Sequence, residues 1–157
     1  MIYYIKGDAV YPEKYHDKKE ENRIIAHVCN NAGFWGLGFV LSLNRRSFIP
    51  RKVFLEARKN REENSKLSGV QFCQIDDYLF VANMVAQNGT RSVINPVPIK
   101  YDALEKCLRR VNRELLEIDG SLHIPKIGTG LAGGKWNRVV EIIEDTVEAY
   151  TYVYELE

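Results

Sequence analysis

A chain of 157 residues is the size of one ordinary domain, and its 45% hydrophobic and 27% charged residues are typical of a folded protein. The formal net charge of +1 provides no global field that would recruit nucleic acid or anionic lipid. Three cysteines without a C-x-x-C pair argue against a disulfide framework and against a zinc ribbon.

The N-terminal sequence MIYYIKGD is too short and too soon charged for a signal peptide. No apolar run approaches the length of a membrane span, and no spacing of cysteines and histidines indicates a metal site. We therefore expect a cytoplasmic monomer that contacts no membrane and uses no metal or other cofactor.

Strand patterns open the chain. Residues Ile2–Lys6 are β-branched or aromatic almost throughout, and residues 24–29 (IIAHVC) form a near-continuous apolar run, so both segments are predicted strands. Residues 11–23 between them carry both signs of charge and predict a solvated connection, with His16 at the surface. An apolar helical pattern begins at Val40.

The middle of the chain predicts a helix, a hairpin and a second helix. Pro50 interrupts the apolar pattern, and residues 51–66 then predict a charged amphipathic helix with a solvated face. Residues 70–75 and 78–85 predict two strands joined by a turn of two aspartates. Residues 101–116 predict another amphipathic helix.

The last part of the chain combines a strand, a glycine loop and a helix. Apolar residues at 122–127 predict a short strand, four glycines follow within residues 128–134, and an apolar helical stripe begins at Trp136. Residues 151–156 predict a final strand. Because strands and helices alternate with one hairpin, we expect a three-layer α/β/α sandwich with a mixed central sheet, as a single domain over residues 1–157.

The glycine loop in this last part matches G-x-G-x-x-G at Gly128, Gly130 and Gly133, whose glycines permit unusual φ angles and close approach by a phosphate. A strand, a glycine loop and a helix in succession turn backbone N–H groups toward an anion, which predicts a phosphate cradle. The same motif marks dinucleotide-binding Rossmann folds, but no βαβ unit follows it before Glu157, so we expect the last βαβ unit of another α/β fold. The alternative is that the glycines only turn the chain.

A second glycine-rich loop follows the predicted strand at residues 24–29. Asn30 and Asn31 at the end of this strand offer both donors and acceptors to a sugar hydroxyl or a water, although they also suit a plain turn. His27 lies within the strand, where a neutral core histidine held by a hydrogen bond is the alternative to a catalytic one. Two such loops at strand ends can lie side by side over one crevice, which suggests a diphosphate ligand.

Together these segments resemble the macrodomain, an ADP-ribose-binding α/β/α module. The resemblance spans nearly the whole chain and is carried by GDA at 7–9, HVCNNAGFWGLGFV at 27–40, VANMVAQNG at 81–89, VPIKYDAL at 97–104 and IPKIGTGLAGGKW at 125–136. It is strongest toward the stand-alone group that includes ADP-ribose-1″-phosphate phosphatases and terminal ADP-ribose glycohydrolases.

The resemblance implies a ligand-binding role for each of these segments. Asp8, with Gly7 and Ala9 beside it, would accept from the adenine amino group, although a turn cap also explains Asp8. Asn30, or failing it Asn31, would hold the distal ribose. Backbone N–H groups of the two loops would bind the ribose and phosphates, from Gly36, Leu37, Gly38, Phe39 and Val40 in the first loop and from Ile127, Gly128, Thr129, Gly130, Leu131, Ala132 and Gly133 in the second. Gln87 would complete the site, and Tyr154 would pack against adenine unless it is an ordinary core residue.

Two departures from the family pattern bear on activity. Ala132 stands where one glycohydrolase branch has an acid, and residues 87–95 contain no lysine, so we do not expect the covalent lysine mechanism of that branch. The sequence VCNN at 28–31 replaces the NAAN pattern of other hydrolytic macrodomains.

The resemblance leads to a hydrolase as the first hypothesis. We expect the chain to bind ADP-ribose or an ADP-ribosylated substrate and to hydrolyse a phosphate or another attachment at C1″ of the distal ribose. Asn30 would position the water, with His27 or Asp102 as acid–base helpers. The alternative is a non-catalytic ADP-ribose reader, which the lack of a clear general base favours. A protein–RNA module is a third reading, which the near-neutral charge disfavours.

Overall fold

Six strands form one sheet in the computed structural model, which describes residues 1–156. They are β1 (Ile2–Lys6), β2 (Arg23–Asn30), β3 (Val70–Asp76), β4 (Leu79–Gln87), β5 (Ser121–Ile124) and β6 (Thr151–Glu155). Their order in the sheet is β1-β6-β5-β2-β4-β3. The hairpin partner β3 runs antiparallel to β4, whereas the other neighbouring pairs are parallel, so the predicted mixed sheet is confirmed.

Helices cover both faces of this sheet. They are α1 (Phe39–Arg46), α2 (Ile49–Lys59), α3 (Tyr101–Ile118) and α4 (Trp136–Thr146). The apolar sides of α3 and α4 pack on one face, around residues such as Ile24 and Leu122. On the opposite face a smaller cluster joins Ile25 and Val81 to Leu43 of α1. The α/β/α sandwich expected from the alternating patterns is therefore present.

Proline changes two of the predicted boundaries. Pro50 does not interrupt the chain before α2 but lies in its first turn, where a missing N–H costs no helical hydrogen bond. This helix ends at Lys59 rather than at residue 66, and Arg61 just beyond it has a left-handed φ of 53°. In the last βαβ unit, β5 ends at Ile124 before Pro125, so Ile127 belongs to the loop and not to the strand.

The half of the sheet formed by β5 and β6 is covered on the α1 side by the connection between β1 and β2. His123 of β5 is the register partner of Ile25, so its side chain lies on this face. His16 of the connection is half-buried, and its Nε2 lies 3.0 Å from the hydroxyl oxygen of Tyr154. His16 is therefore partly covered rather than fully at the surface, whereas residues 17–20 of the connection are exposed as expected.

A chain of hydrogen bonds runs beneath this connection. The Tyr154 hydroxyl lies 2.7 Å from Nδ1 of His123, whose Nε2 lies 2.8 Å from the hydroxyl of Ser121. Burial, and then the nearby charges of His16 and Arg23, lowers the pKa of His123 well below its ordinary value. Tyr154 is only 4% exposed, so the structure places it in the core rather than on an open ligand surface.

Arg23 fixes the end of the connection. Its side chain is 2% exposed, and Nη2 donates to the Lys18 carbonyl oxygen at 2.5 Å and to the Glu21 carboxylate at 3.3 Å. A buried guanidinium is stable only with such partners. The connection is therefore held at His16 and again where it enters β2.

Replacing Tyr154 by Phe should lower the free energy of unfolding by about 1–3 kcal/mol, because His123 and His16 lose a hydrogen-bond partner in a buried place. Tyr150→Phe is the matched control, since Tyr150 is 60% exposed, and it should change the free energy of unfolding by less than about 0.5 kcal/mol. Urea denaturation of both variants measures the difference. Equal stability of the two variants would contradict a structural role for the Tyr154 hydroxyl.

Candidate functional site

An open cavity of about 770 Å³ lies at the carboxyl ends of β2, β4 and β5. It is lined by residues 27–30, 34–40, 87, 90–91 and 125–132. Both glycine-rich loops therefore contribute to one cavity, and its size is that of sites for small organic ligands. The carboxyl edge of parallel strands is also where α/β proteins bind their ligands.

The first loop is shaped by the side chain of Asn30. Its Oδ1 accepts from the backbone N–H groups of Ala32 and Phe34, both at 3.0 Å, and its Nδ2 donates to the Phe34 carbonyl oxygen at 2.9 Å. Gly38, with φ of 75°, is the N-cap residue of α1, and the first residues of this helix line the cavity. The Leu41 N–H donates to the Gly38 carbonyl oxygen at 3.1 Å, so the N–H groups of Phe39 and Val40 precede this bond at the cavity wall, which favours an anion there.

The second loop depends on three glycines at positive φ, and they have different roles. Gly128 (φ 74°) and Gly133 (φ 77°) are confined by neighbours, since an added Cβ would lie 3.2 Å from Cγ2 of Val139 and 2.7 Å from the Pro96 carbonyl oxygen respectively. Gly130 (φ 60°) faces open space. Gly130 is thus the position of the motif where a ligand can approach the backbone closely.

The two loops lie against each other. An added Cβ at Gly38 would be 3.6 Å from Cδ1 of Leu131, so the start of α1 and the second loop are in contact distance. Gly36 in the first loop, like Gly130 in the second, has no heavy atom within 4 Å of an added Cβ. The backbone of both loops is therefore open toward the cavity they share.

Several residues assigned to the site from the sequence lie outside the cavity lining: Gly7, Ala9, Asp8, Asn31, Gly133, Tyr154 and, in the first turn of α3, Asp102. The Asp8 carboxylate accepts from the Val10 N–H at 3.1 Å, and the Asp8 N–H donates to the Tyr15 hydroxyl at 2.9 Å. This is the turn-cap alternative for Asp8. The structure brings the remaining assigned residues, from His27 to Ala132, around the one cavity.

Asn31 serves the neighbouring loop that follows β4. Its Oδ1 accepts from the Gly89 N–H at 2.8 Å, and its Nδ2 donates to Oδ1 of Asn88 at 3.0 Å. The two amides that the sequence offers to a sugar therefore divide between two structural tasks: Asn30 shapes the first loop, and Asn31 ties it to residues 88–89.

The charged side chains of the cavity lining are all positive. Its charged side chains are Arg91 and Lys126, and within the described residues 1–156 no carboxylate lines it. Arg91 was missed by the sequence analysis, which named only Gln87 from this loop. Arg91 could have been found from its position after β4, because β4 lies next to β2 in the sheet. The sequence does not reveal which strands are neighbours.

His27 lies at the base of the cavity and is 2% exposed. Asn83 donates through Nδ2 to the Pro50 carbonyl oxygen at 3.0 Å and to Gln71 Oε1 at 3.2 Å, so its Oδ1 faces Nε2 of His27 at 2.5 Å. Nε2 therefore carries the proton, and Nδ1 is the acceptor. Burial lowers the pKa of His27 to about 4, although the hydrogen bond to Asn83 raises it, so the imidazole is neutral at pH 7.

Cys29 also borders the cavity, and burial raises the pKa of its thiol well above the ordinary value. A thiol in this state is a poor nucleophile because the thiolate is the reactive form. The cavity therefore offers hydrogen-bond donors to a ligand, rather than a charged base or a thiolate.

One of the similar solved structures decides the family. A macrodomain protein from Streptomyces coelicolor is 36% identical, covers 99% of both chains and superposes with a TM-score of 0.82. The chain belongs to the macrodomain family. No family model matches the sequence, so the assignment rests on this similarity over the full length.

Two curated relatives differ in how much of their own length this chain matches. The mouse chromodomain-helicase-DNA-binding protein 1-like is 30% identical over 98% of this macrodomain, which spans only 17% of the length of that relative. The ADP-ribose 1″-phosphate phosphatase of Candida albicans is 27% identical, over 98% of this chain and 99% of its own length. Among the helices of residues 1–156, none has the length and apolar character that a membrane span requires.

The macrodomain should lose stability as the pH falls from about 6.5 to 4, because unfolded His27 takes up a proton in this range and folded His27, with its pKa of about 4, does not. At pH 5 this residue alone should lower the free energy of unfolding by about 2 kcal/mol relative to neutral pH. Urea denaturation at several pH values measures the slope. His27→Gln retains an N–H donor for Asn83 and should reduce the slope, while the part that buried His123 contributes remains. An unchanged slope in this variant would contradict the neutral, buried state of His27.

Proposed function

We propose that this macrodomain binds ADP-ribose across its two glycine loops and hydrolyses a group attached to C1″ of the distal ribose. The observation that carries the proposal is the shared cavity, in which two open glycine backbones and the N-terminus of α1 meet without any carboxylate lining it among residues 1–156. Such a surface is suited to phosphate groups, which need donors and no competing negative charge.

The strand order supports a long ligand. β1, β6, β5 and β2 are neighbours that run in parallel, so the turn at Asp8, the second loop and the first loop follow β1, β5 and β2 at one edge of the sheet. Three strand spacings, roughly 14 Å, separate the ends of β1 and β2. A ligand with its base at Asp8 and Ala9, its diphosphate at residues 128–133 and its distal ribose at residues 36–40 would run along this edge.

The hydrolytic step is supported by the similarity to the Candida albicans phosphatase, which extends over nearly the full length of both chains. Backbone N–H groups fixed in the loops would stabilise the negative charge that develops at the reacting group, and they need no reorganisation to do so. Asn30 has one Nδ2 hydrogen left for a ribose hydroxyl or a water, since its other side-chain groups hold the first loop. It would position the water as a donor and would not act as a base.

The second candidate is a reader that binds ADP-ribose and turns nothing over. The lining of the cavity favours it, because His27 is neutral with a pKa of about 4 and the cavity has no carboxylate within residues 1–156. A general base is normally poised near the working pH. If the protein is a hydrolase, an oxygen of the ligand's own phosphate would have to act as the general base.

Calorimetric titrations with ADP-ribose, NAD and ATP in parallel test the shared part of both candidates. We expect ADP-ribose to bind most tightly, because only its distal ribose is free to enter the first loop. Incubation with ADP-ribose-1″-phosphate then separates the candidates by the release of inorganic phosphate. Binding without release identifies a reader for this substrate, and no preference for ADP-ribose over ATP contradicts both.

Gly36→Val should weaken ADP-ribose binding by tenfold or more, about 1.4 kcal/mol, while leaving the free energy of unfolding nearly unchanged. Its Cβ meets no atom within 4 Å and its φ is not in the left-handed region, so the new side chain enters the cavity without strain. Gly133→Ala is the contrasting variant, which should lose stability through the contact with Pro96 although it lies outside the cavity lining. Unaltered binding by Gly36→Val would remove the first loop from the ligand site.

A further inference from the structure

One arginine lines the cavity without a carboxylate partner among the described residues. Of the two cations in the lining, Lys126 pairs with Glu155, with Nζ and Oε1 3.0 Å apart, and the same carboxylate also pairs with Lys6 at 3.2 Å. None of the ion pairs found among residues 1–156 includes Arg91. Arg91 is therefore the cation of this wall whose charge no carboxylate of these residues offsets.

The Arg91 side chain lies on the second glycine loop. Its Nη1 donates to the Gly130 carbonyl oxygen at 3.2 Å, an oxygen that also accepts from the Gly133 N–H at 3.0 Å. A guanidinium has five N–H donors, so four remain for another partner. Gly130 is the glycine of this loop with open space before it, and the free donors of Arg91 are thus beside the most accessible part of the backbone.

The backbone that carries Arg91 is held by hydrogen bonds on both sides. Asn31 fixes residues 88–89, as described above, and Nδ2 of Asn95 donates to the carbonyl oxygens of Asn88 and Thr90 at 2.9 and 3.0 Å. Ser92 and Asn95 also exchange backbone hydrogen bonds at 3.0 and 3.1 Å. A side chain on such a closed turn costs less conformational entropy to place on a ligand than one on an open loop.

We propose that Arg91 determines the specificity of the cavity for a phosphorylated ligand, by pairing its guanidinium with a phosphate oxygen that the second glycine loop also binds. A planar guanidinium matches phosphate with two parallel N–H donors, and charge-assisted bonds of this kind are about twice as strong as neutral ones. The inference rests on the proposed function, since it names the residue that recognises the diphosphate of ADP-ribose.

Three variants test it by calorimetry with ADP-ribose and with inorganic pyrophosphate. Arg91→Gln retains an N–H donor for Gly130 but removes the charge, and it should weaken ADP-ribose binding by about 10- to 100-fold. Arg91→Lys retains the charge and should lose less than Arg91→Gln. Lys52→Gln is the matched control, because Lys52 is an exposed cation of α2 outside the cavity lining, and it should change binding by less than about threefold.

The salt dependence of binding provides a second readout. The affinity of the wild-type protein should fall as salt increases, and Arg91→Gln should reduce that dependence while Lys52→Gln retains it. If the wild-type protein binds ADP-ribose and Arg91→Gln binds it equally tightly, the inference is overturned and the proposed function stands. Arg91-dependent binding of pyrophosphate without any binding of ADP-ribose supports the inference and overturns the proposed function. Failure of the wild-type protein to bind either ligand overturns both.

Discussion

The parallel pairing of β2 with β5 is the constraint on which the site depends. Ile24 and Ile25 of β2 are register partners of Leu122 and His123 of β5, so the two strands end at the same edge of the sheet. Neighbouring strands are roughly 4.8 Å apart, and each of these two is followed by a glycine-rich loop. Two backbones that are far apart in the chain are thereby brought to one cavity.

Within this arrangement, side chains shape the loops, and in the proposed site the backbone provides the binding groups. Asn30 and Asn31 use most of their amide groups on loop N–H and carbonyl groups, and the glycines keep Cβ atoms out of the ligand's path. Recognition by backbone donors responds to charge and geometry more than to the identity of a side chain. The histidine and the thiol at the base of the cavity are held in their neutral forms by burial, which is consistent with catalysis by charge stabilisation or with binding alone.

Elements with a strong hydrophobic period were predictable, since burial of one face is what makes them fold. Helices α3 and α4 follow such a period, whereas β1 and β2 were predicted from runs of β-branched, aromatic or apolar residues and the hairpin of β3 and β4 from its turn. The segment that covers β5 and β6 was not predictable. It is a charged connection held on the sheet by side-chain hydrogen bonds, and such bonds leave no hydrophobic period in the sequence. Arg91 was missed for a related reason: its role depends on which strands are neighbours, a property of the tertiary fold.

The connection between β1 and β2 is anchored at two points, with His16 bonded to Tyr154 and Arg23 bonded to the Lys18 carbonyl. Directional bonds at both ends leave no slack in the residues between them, whereas their exposed side chains, such as Glu20, face water. We therefore expect the amino acids along the segment to differ among relatives of this chain, but an insertion or deletion there would break one anchor. Constant spacing with variable identity is the evolutionary signature that this half of the sheet should leave.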